Sequence, residues 1–175
     1  MCLSELMYCL YKKYRCPGLS LICFFLSFSF LHAQTPVTYL GINQGLSNNS
    51  VRCILQDHRG FMWFGTYDGL NRYDGYSFRV FRNKINDSSS LINPFINTLD
   101  EDKKGDLWIG TRQGLSIYNS LTDKFTHLSH RQNGGVSIVG DVIKAIKTDS
   151  RNNVFVGAEN MGLLFCRNGN VVAVP

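Results

Sequence analysis

Residues 57–73 read Asp57-His58-Arg59-Gly60-Phe61-Met62-Trp63-Phe64-Gly65-Thr66-Tyr67-Asp68-Gly69-Leu70-Asn71-Arg72-Tyr73. They return 45 positions later as Asp102-Lys103-Lys104-Gly105-Asp106-Leu107-Trp108-Ile109-Gly110-Thr111-Arg112-Gln113-Gly114-Leu115-Ser116-Ile117-Tyr118. A period of this length, made of short strand-like runs and Gly-rich turns, marks a β-propeller with four antiparallel strands to a blade. A third copy, residues 149–158, aligns without a gap and places Phe155 at the Trp position and Asn152 at the first Gly. After Gly, Asn most readily adopts φ > 0, so Asn152 marks a left-handed turn position. Gly162 stands five residues after Gly157 where Gly69 stands four after Gly65, a one-residue insertion that a loop absorbs cheaply. The expected fold is all-β, a partial β-propeller of about three four-stranded blades covering about 46–82, 91–129 and 138–175.

Within the first repeat, residues 51–56 read as the inner strand, with Val51, Cys53 and Leu55 on one face and Ile54 on the other. Apolar residues on both faces suit a sheet sandwiched between neighbours. Asp57 to Gly60 is a tight turn whose carboxylate accepts backbone N–H groups, and Gly60 supplies φ > 0. Residues 61–66 form the second strand, with Trp63 and its counterpart Trp108 assigned to blade packing and Gly65 admitting close backbone approach. Residues 70–73 and 76–81 complete the blade around an Asp74-Gly75 hairpin. Gly69, Gly110, Gly114, Gly157 and Gly162 recur as architectural positions, as do Gly105 and Asp149 at the first turn. Residues 37–42 resemble a fourth strand without the three that precede it, an orphan outer strand. Three blades and a spare strand do not close a ring, and each terminal blade is left with an uncovered apolar face.

The first 33 residues read as a signal peptide. Lys12, Lys13 and Arg15 precede an apolar run over 19–31, and Ala33 offers a small residue before Gln34. Thirteen residues fall short of the roughly 20 that span a bilayer. Cys2, Cys9, Cys16 and Cys23 lie in this leader, which leaves Cys53 and Cys166 as free thiols at strand positions, too few for a disulfide framework. Its removal takes away those three basic residues and Glu5, so the net charge of +5 becomes +3. Without a basic run or aromatic-basic interleaving on one face, nucleic-acid binding by this segment is not expected.

Little chemistry recurs in a catalytic pattern. His32 belongs to the leader, His58 falls in a turn, and His127 and His130 flank a strand end, with no spacing that joins them into a metal set. Asp57, Asp102 and Asp149 occupy one turn position in every repeat, which argues for structure because an active site needs a residue once. No catalytic residue, metal or cofactor is expected. Loops between second and third strands open on one propeller face and differ among repeats while their flanks do not. They carry Tyr67 and Asp68, Arg112 and Gln113, and Glu159 and Asn160, side chains that suit sugars by hydrogen bonding and ring stacking. These six are the candidate ligand-facing residues.

The run Gly45-Leu46-Ser47-Asn48-Asn49-Ser50-Val51, followed by Asp57…Gly60…Trp63-Phe64-Gly65-Thr66…Asp68-Gly69-Leu70-Asn71-Arg72-Tyr73-Asp74-Gly75, resembles the opening of the two-component regulator propeller family. The third repeat matches less well, with Phe155 for Trp and Ala158 for Thr. The resemblance implies an N-terminal periplasmic piece of a glycan-responsive hybrid two-component sensor that has no activity alone. It further implies an oligosaccharide ligand, downstream blades, a membrane helix, kinase, receiver and DNA-binding domains, and a dimeric, inner-membrane-anchored whole. A sialidase-like glycosidase is a rival, since such enzymes carry recurrent Asp-x-Gly-x-x-Trp turns; here two residues separate Asp from Gly. A propeller scaffold for protein binding is a third reading.

Overall fold

The computed structural model describes residues 37–128, 138–167 and 170–173. The leader, its four cysteines, His130 and the Asn168-Gly169 hairpin lie outside them. The chain divides into a unit over Met1–Thr38, of which only Val37 and Thr38 are described, and a unit over Tyr39–Pro175. The second unit holds three antiparallel four-stranded meanders. The first is β1 (Val51–Gln56), β2 (Met62–Thr66), β3 (Gly69–Tyr73) and β4 (Phe78–Phe81); the second is β5 (Ile96–Glu101), β6 (Leu107–Thr111), β7 (Gly114–Asn119) and β8 (Lys124–His127). The third is β9 (Ile143–Thr148), β10 (Val154–Ala158), β11 (Gly162–Arg167) and β12 (Asn170–Ala173). Strand order follows chain order in each, as in propeller blades.

The orphan strand expected over 37–42 does not form. Residues 37–40 join no ladder and Ile42–Gln44 is a short 3-10 helix. At the C-terminal end of that stretch, side chains take N–H groups a strand would give to a neighbour: Gly41 N donates to Gln44 Oε1 at 2.9 Å and Ile42 N to Asn49 Oδ1 at 3.0 Å. The fourth strand of the first blade also starts later than expected, at Phe78, because Asp74 Oδ1 accepts from both Tyr76 N and Ser77 N.

Each repeat Asp closes its turn the same way. Asp57 Oδ1 accepts from Arg59 N and Phe61 N at 3.0 and 2.9 Å, and its Oδ2 accepts from the indole Nε1 of Trp63 at 2.8 Å. Asp102 accepts from Lys104 N, Asp106 N and Trp108 Nε1 at 2.8, 3.1 and 3.2 Å. In the third blade Phe155 has no indole to donate, and Asn153 Nδ2 supplies the missing bond to Asp149 Oδ2 at 2.8 Å. Asn152 takes φ 64° where Gly60 and Gly105 take 89° and 80°, so all three turns share one left-handed position.

Trp63 is thus held at one end by a carboxylate and packed at the other. Its ring stacks on Phe81 at 5.8 Å and meets Tyr118 of the second blade edge-on at 5.3 Å. Leu70, Ile96, Leu107, Ile109 and Phe125 complete the core between the first two blades. On β6 the alternation splits neighbouring residues between two interfaces: Leu107 and Ile109 face the first blade, and Trp108 joins Ile143, Ile146, Val154 and Leu164 toward the third. Each fully buried side chain of this kind contributes about 1.5–3 kcal/mol.

Close blade approach rests on Gly65 and Gly110. A Cβ at Gly65 would lie 2.5 Å from both Cys53 Sγ and Ile96 Cγ2, and one at Gly110 would lie 2.5 Å from Thr98 Cγ2 and 2.6 Å from Ile143 Cγ2. The neighbours are side chains of the blade's own inner strand and of the next one, rather than backbone. At Gly157 the nearest atom is Ala145 Cβ at an ordinary 3.5 Å.

Gly65→Ala and Gly110→Ala are expected to lower the unfolding free energy by about 1–3 kcal/mol each through overpacking, whereas Gly157→Ala should change it by less than about 0.5 kcal/mol. Urea titrations followed by Trp fluorescence measure both. In the same assay Asp57→Ala, which strands the buried Trp63 indole N–H, should cost about 3 kcal/mol, and Asn153→Ala should cost measurably less.

Candidate functional site

Each inner strand contains one extra residue beside its second strand. The register skips Arg52 between Val51 and Cys53, Asn97 between Ile96 and Thr98, and Lys144 between Ile143 and Ala145. All three lie five residues before their repeat Asp, so the bulge is part of the repeat. A β-bulge re-aims a side chain, and each of these sits beside the β2–β3 type loop of its own blade, at the end of the sheet opposite the Asp turns.

The loops are held from within. Thr66 Oγ1 accepts from Asp68 N at 3.1 Å and donates to Gly69 O, and Thr111 Oγ1 does the same with Gln113 N and Gly114 O. Ala158 lacks that hydroxyl. In its place the buried carboxylate of Asp141, from the preceding crossing, accepts from Asn160 N, Asn160 Nδ2 and Met161 N at 2.8–3.3 Å. Burial raises the Asp141 pKa, but the Asn160 amide and the backbone N–H groups outweigh it and hold the carboxyl below its usual range.

Of the six sequence-predicted residues, the structure brings two together. Tyr67 stacks flat on Phe95, with ring centroids 4.4 Å apart and planes inclined by 19°, and the Arg112 guanidinium lies 4.4 Å from the centroid of the same Phe95 ring. Arg52 completes the group, 5.6 Å from the Tyr67 centroid, 5.9 Å from that of Phe95, and donating to Tyr67 Oη at 3.4 Å. The others stand apart. Asp68 pairs with Arg82 at 2.9 Å, Glu159 with Lys144 at 3.1 Å, Asn160 serves Asp141, and the exposed Gln113 is fixed through its backbone.

Arg52, Phe95, Lys144 and Asp141 escaped sequence reasoning. Arg52 and Lys144 recur at one position relative to the repeat Asp, a signal that could have found them. Phe95 follows Pro94 and stands where the first repeat has Ser50, so no recurrence marks it, and only the packing of one blade on the next brings it under Tyr67.

The other titratable groups offer no comparable site. Asp57, Asp102 and Asp149 each accept three hydrogen bonds within their turn. Among the described residues, no cluster of three or more His, Cys, Asp or Glu could hold a metal ion, and no helix is long and apolar enough to cross a membrane. His58 Nδ1 meets Glu101 at 2.7 Å across the first two blades, and burial lowers the His127 pKa. Burial pushes the thiols of Cys53 and Cys166 up to about 11.

The sequence profile of the family "Two component regulator propeller" matches residues 45–68 and 90–113. A 47-residue stretch is 51% identical to histidine kinase P4 of Formosa agariphila, covering 27% of this chain and 3% of that protein. Among solved structures, the chain is similar to the extracellular domain of the hybrid two component system BT3049 of B. thetaiotaomicron, with 29% identity and a TM-score of 0.70. That match covers 78% of this chain and 20% of the domain. The corresponding domain of BT4673 shows 26% identity and a TM-score of 0.60 over 75% of this chain and 17% of that one. Virginiamycin B lyase of Staphylococcus aureus, 14% identical with a TM-score of 0.55, shares the fold alone. The chain spans a fifth or less of the kinase and of the two extracellular domains.

Cys53 and Cys166 are expected to resist iodoacetamide at pH 8 in the native state and to label in urea, as mapped residue by residue by mass spectrometry. Unfolded thiols ionise near 9.0 and these near 11. The native state therefore holds this contribution in full below pH 9 and loses it as pH rises through that window.

Proposed function

We propose, on the premise that the chain is built from two-component regulator propeller repeats, that it forms the N-terminal part of an exported sensor and helps bind a saccharide. The observation that carries the ligand reading is the platform of Tyr67, Phe95, Arg112 and Arg52 on the loop face. Tyr67 is 42% exposed while its ring is held flat by Phe95, so an aromatic face is presented without the freedom that stacking would otherwise have to remove. Guanidinium groups beside it supply several N–H donors in fixed planes, which match sugar hydroxyls and ring oxygens. Blade architecture supports the platform from two sheets and an intervening crossing, and that rigidity favours a pre-formed site.

Export to the periplasm is supported by the leader over residues 1–33 and by the similarity to extracellular domains. Signalling belongs to the whole protein. On this reading the segment senses and transmits, and a kinase elsewhere in the longer protein converts the event to phosphoryl transfer. The glycosidase reading gains nothing from the repeat aspartates, whose lone pairs are committed to their own turns, at the opposite end of the sheet from the aromatic platform.

The test is calorimetric titration of the full chain with a panel of soluble oligosaccharides, together with an assay for released reducing sugar. Saccharide binding that Tyr67→Ala weakens roughly tenfold, with no sugar released, is the expected outcome. Failure to bind any member of the panel, or measurable hydrolysis, overturns it.

A further inference from the structure

We infer that the saccharide recognised at this face is acidic, bearing a carboxylate or sulfate; the inference rests on the saccharide-binding reading above and names its chemistry. Its basis is a pair of cations gathered on one ring. The guanidinium carbons of Arg112 and Arg52 lie 4.4 and 5.9 Å from the centroid of Phe95. Both side chains are exposed, and neither forms a salt bridge among the described residues. Two neighbouring cations of this face are matched, Arg82 by Asp68 and Lys144 by Glu159. The unbalanced charge is therefore local, two positive groups beside one aromatic platform.

A guanidinium with no carboxylate partner gains Coulomb energy and hydrogen bonds from an added anion. Contact with the aromatic stack limits where each guanidinium can swing. A planar donor fork of this kind pairs with a carboxylate or sulfate through two parallel N–H···O bonds. Tyr67 stands on the same platform, so an anionic group and a sugar ring face can be engaged together, the first by arginine and the second by stacking. A second arginine-flanked ring, Phe61, has Arg59 at 5.3 Å and Arg72 at 4.6 Å. That group lies at the Asp-turn end of a single blade and, among the described residues, has no exposed aromatic partner stacked on it. The Phe95 cluster draws on β1, the β2–β3 loop, the crossing and the β6–β7 loop, which is the convergence of separate segments expected of a binding site.

The experiment titrates the full chain with three tetrasaccharides: a neutral one, its O-sulfated form, and a uronate-bearing form, each at low and high salt. The expected result is at least about tenfold tighter binding of one or both acidic probes, a preference that high salt abolishes. Preference for sulfate or for uronate identifies which anion the site takes. Arg52→Gln and Arg112→Gln should each weaken the acidic probes at least several-fold more than the neutral one, and Arg112→Lys should restore only part of the preference because the planar fork is lost. Equal binding of neutral and acidic probes overturns the inference and leaves the saccharide reading standing. Binding of none overturns both. Binding of inorganic sulfate as tightly as the sulfated probe overturns the saccharide component of this site. Should a glutamine variant fail to fold, the salt dependence of the unmodified chain still decides between these outcomes.

Discussion

The bond from a turn carboxylate to a buried indole is the constraint on which the blade depends. Asp57 closes the first turn with one oxygen and, with the other, fixes the Trp63 ring whose faces and edge then meet Phe81 and Tyr118. One side chain thereby couples strand pairing inside a blade to packing between blades. A tryptophan buried without such a partner would leave an N–H unsatisfied, and an aspartate without the indole would keep a lone pair facing apolar surroundings. The two residues make sense only as a pair, six positions apart across one turn.

The third blade shows what happens when a member of such a pair is replaced. Phe155 needs no acceptor, so the second oxygen of Asp149 is free, and Asn153 occupies it. Ala158 removes the hydroxyl that fixes the next loop, and Asp141 accepts the N–H groups that Thr66 and Thr111 serve in part in the earlier blades. Both substitutions thus keep the hydrogen-bond accounts balanced while changing the residues. Polar satisfaction, rather than residue identity, is what the repeat preserves.

Bulges carry this architecture toward function. If Arg52 paired in register, it would take its place in the alternation along the inner strand; as an unpaired extra residue it stands beside the second-to-third strand loop. The same device places Asn97, whose amide donates to Ile143 O at 3.0 Å and ties β5 to β9, and Lys144, which pairs with Glu159. Three blades use one backbone irregularity for three purposes: an arginine on an aromatic platform, a link between blades, and a neutralised lysine. Variation at one repeated position is how a propeller makes faces of different chemistry from units of one shape.

By itself the sequence determined the period, the four-strand unit, the turns and their left-handed positions, because the repeat is written along the chain and each turn and hairpin joins residues that are near neighbours in it. It determined also that Tyr67 and Arg112 lie on loops of one face, since equivalent positions in a meander share an end of the sheet. Only the tertiary structure decided that the two meet through Phe95, that Trp63 is bound to Asp57 as well as packed, and that Gly65 yields space to Ile96. The first and last of those facts arise from one blade lying against the next, where the contacting atoms belong to different repeats; the Trp63–Asp57 bond lies within one blade, and only the fold of its turn brings indole and carboxylate together. The strand expected over 37–42 failed for the complementary reason. Its pattern was legible, but a strand is defined by its partner, and Gln44 and Asn49 took the N–H groups of Gly41 and Ile42. Periodicity is a property of the chain, whereas pairing is a property of what the chain is brought against.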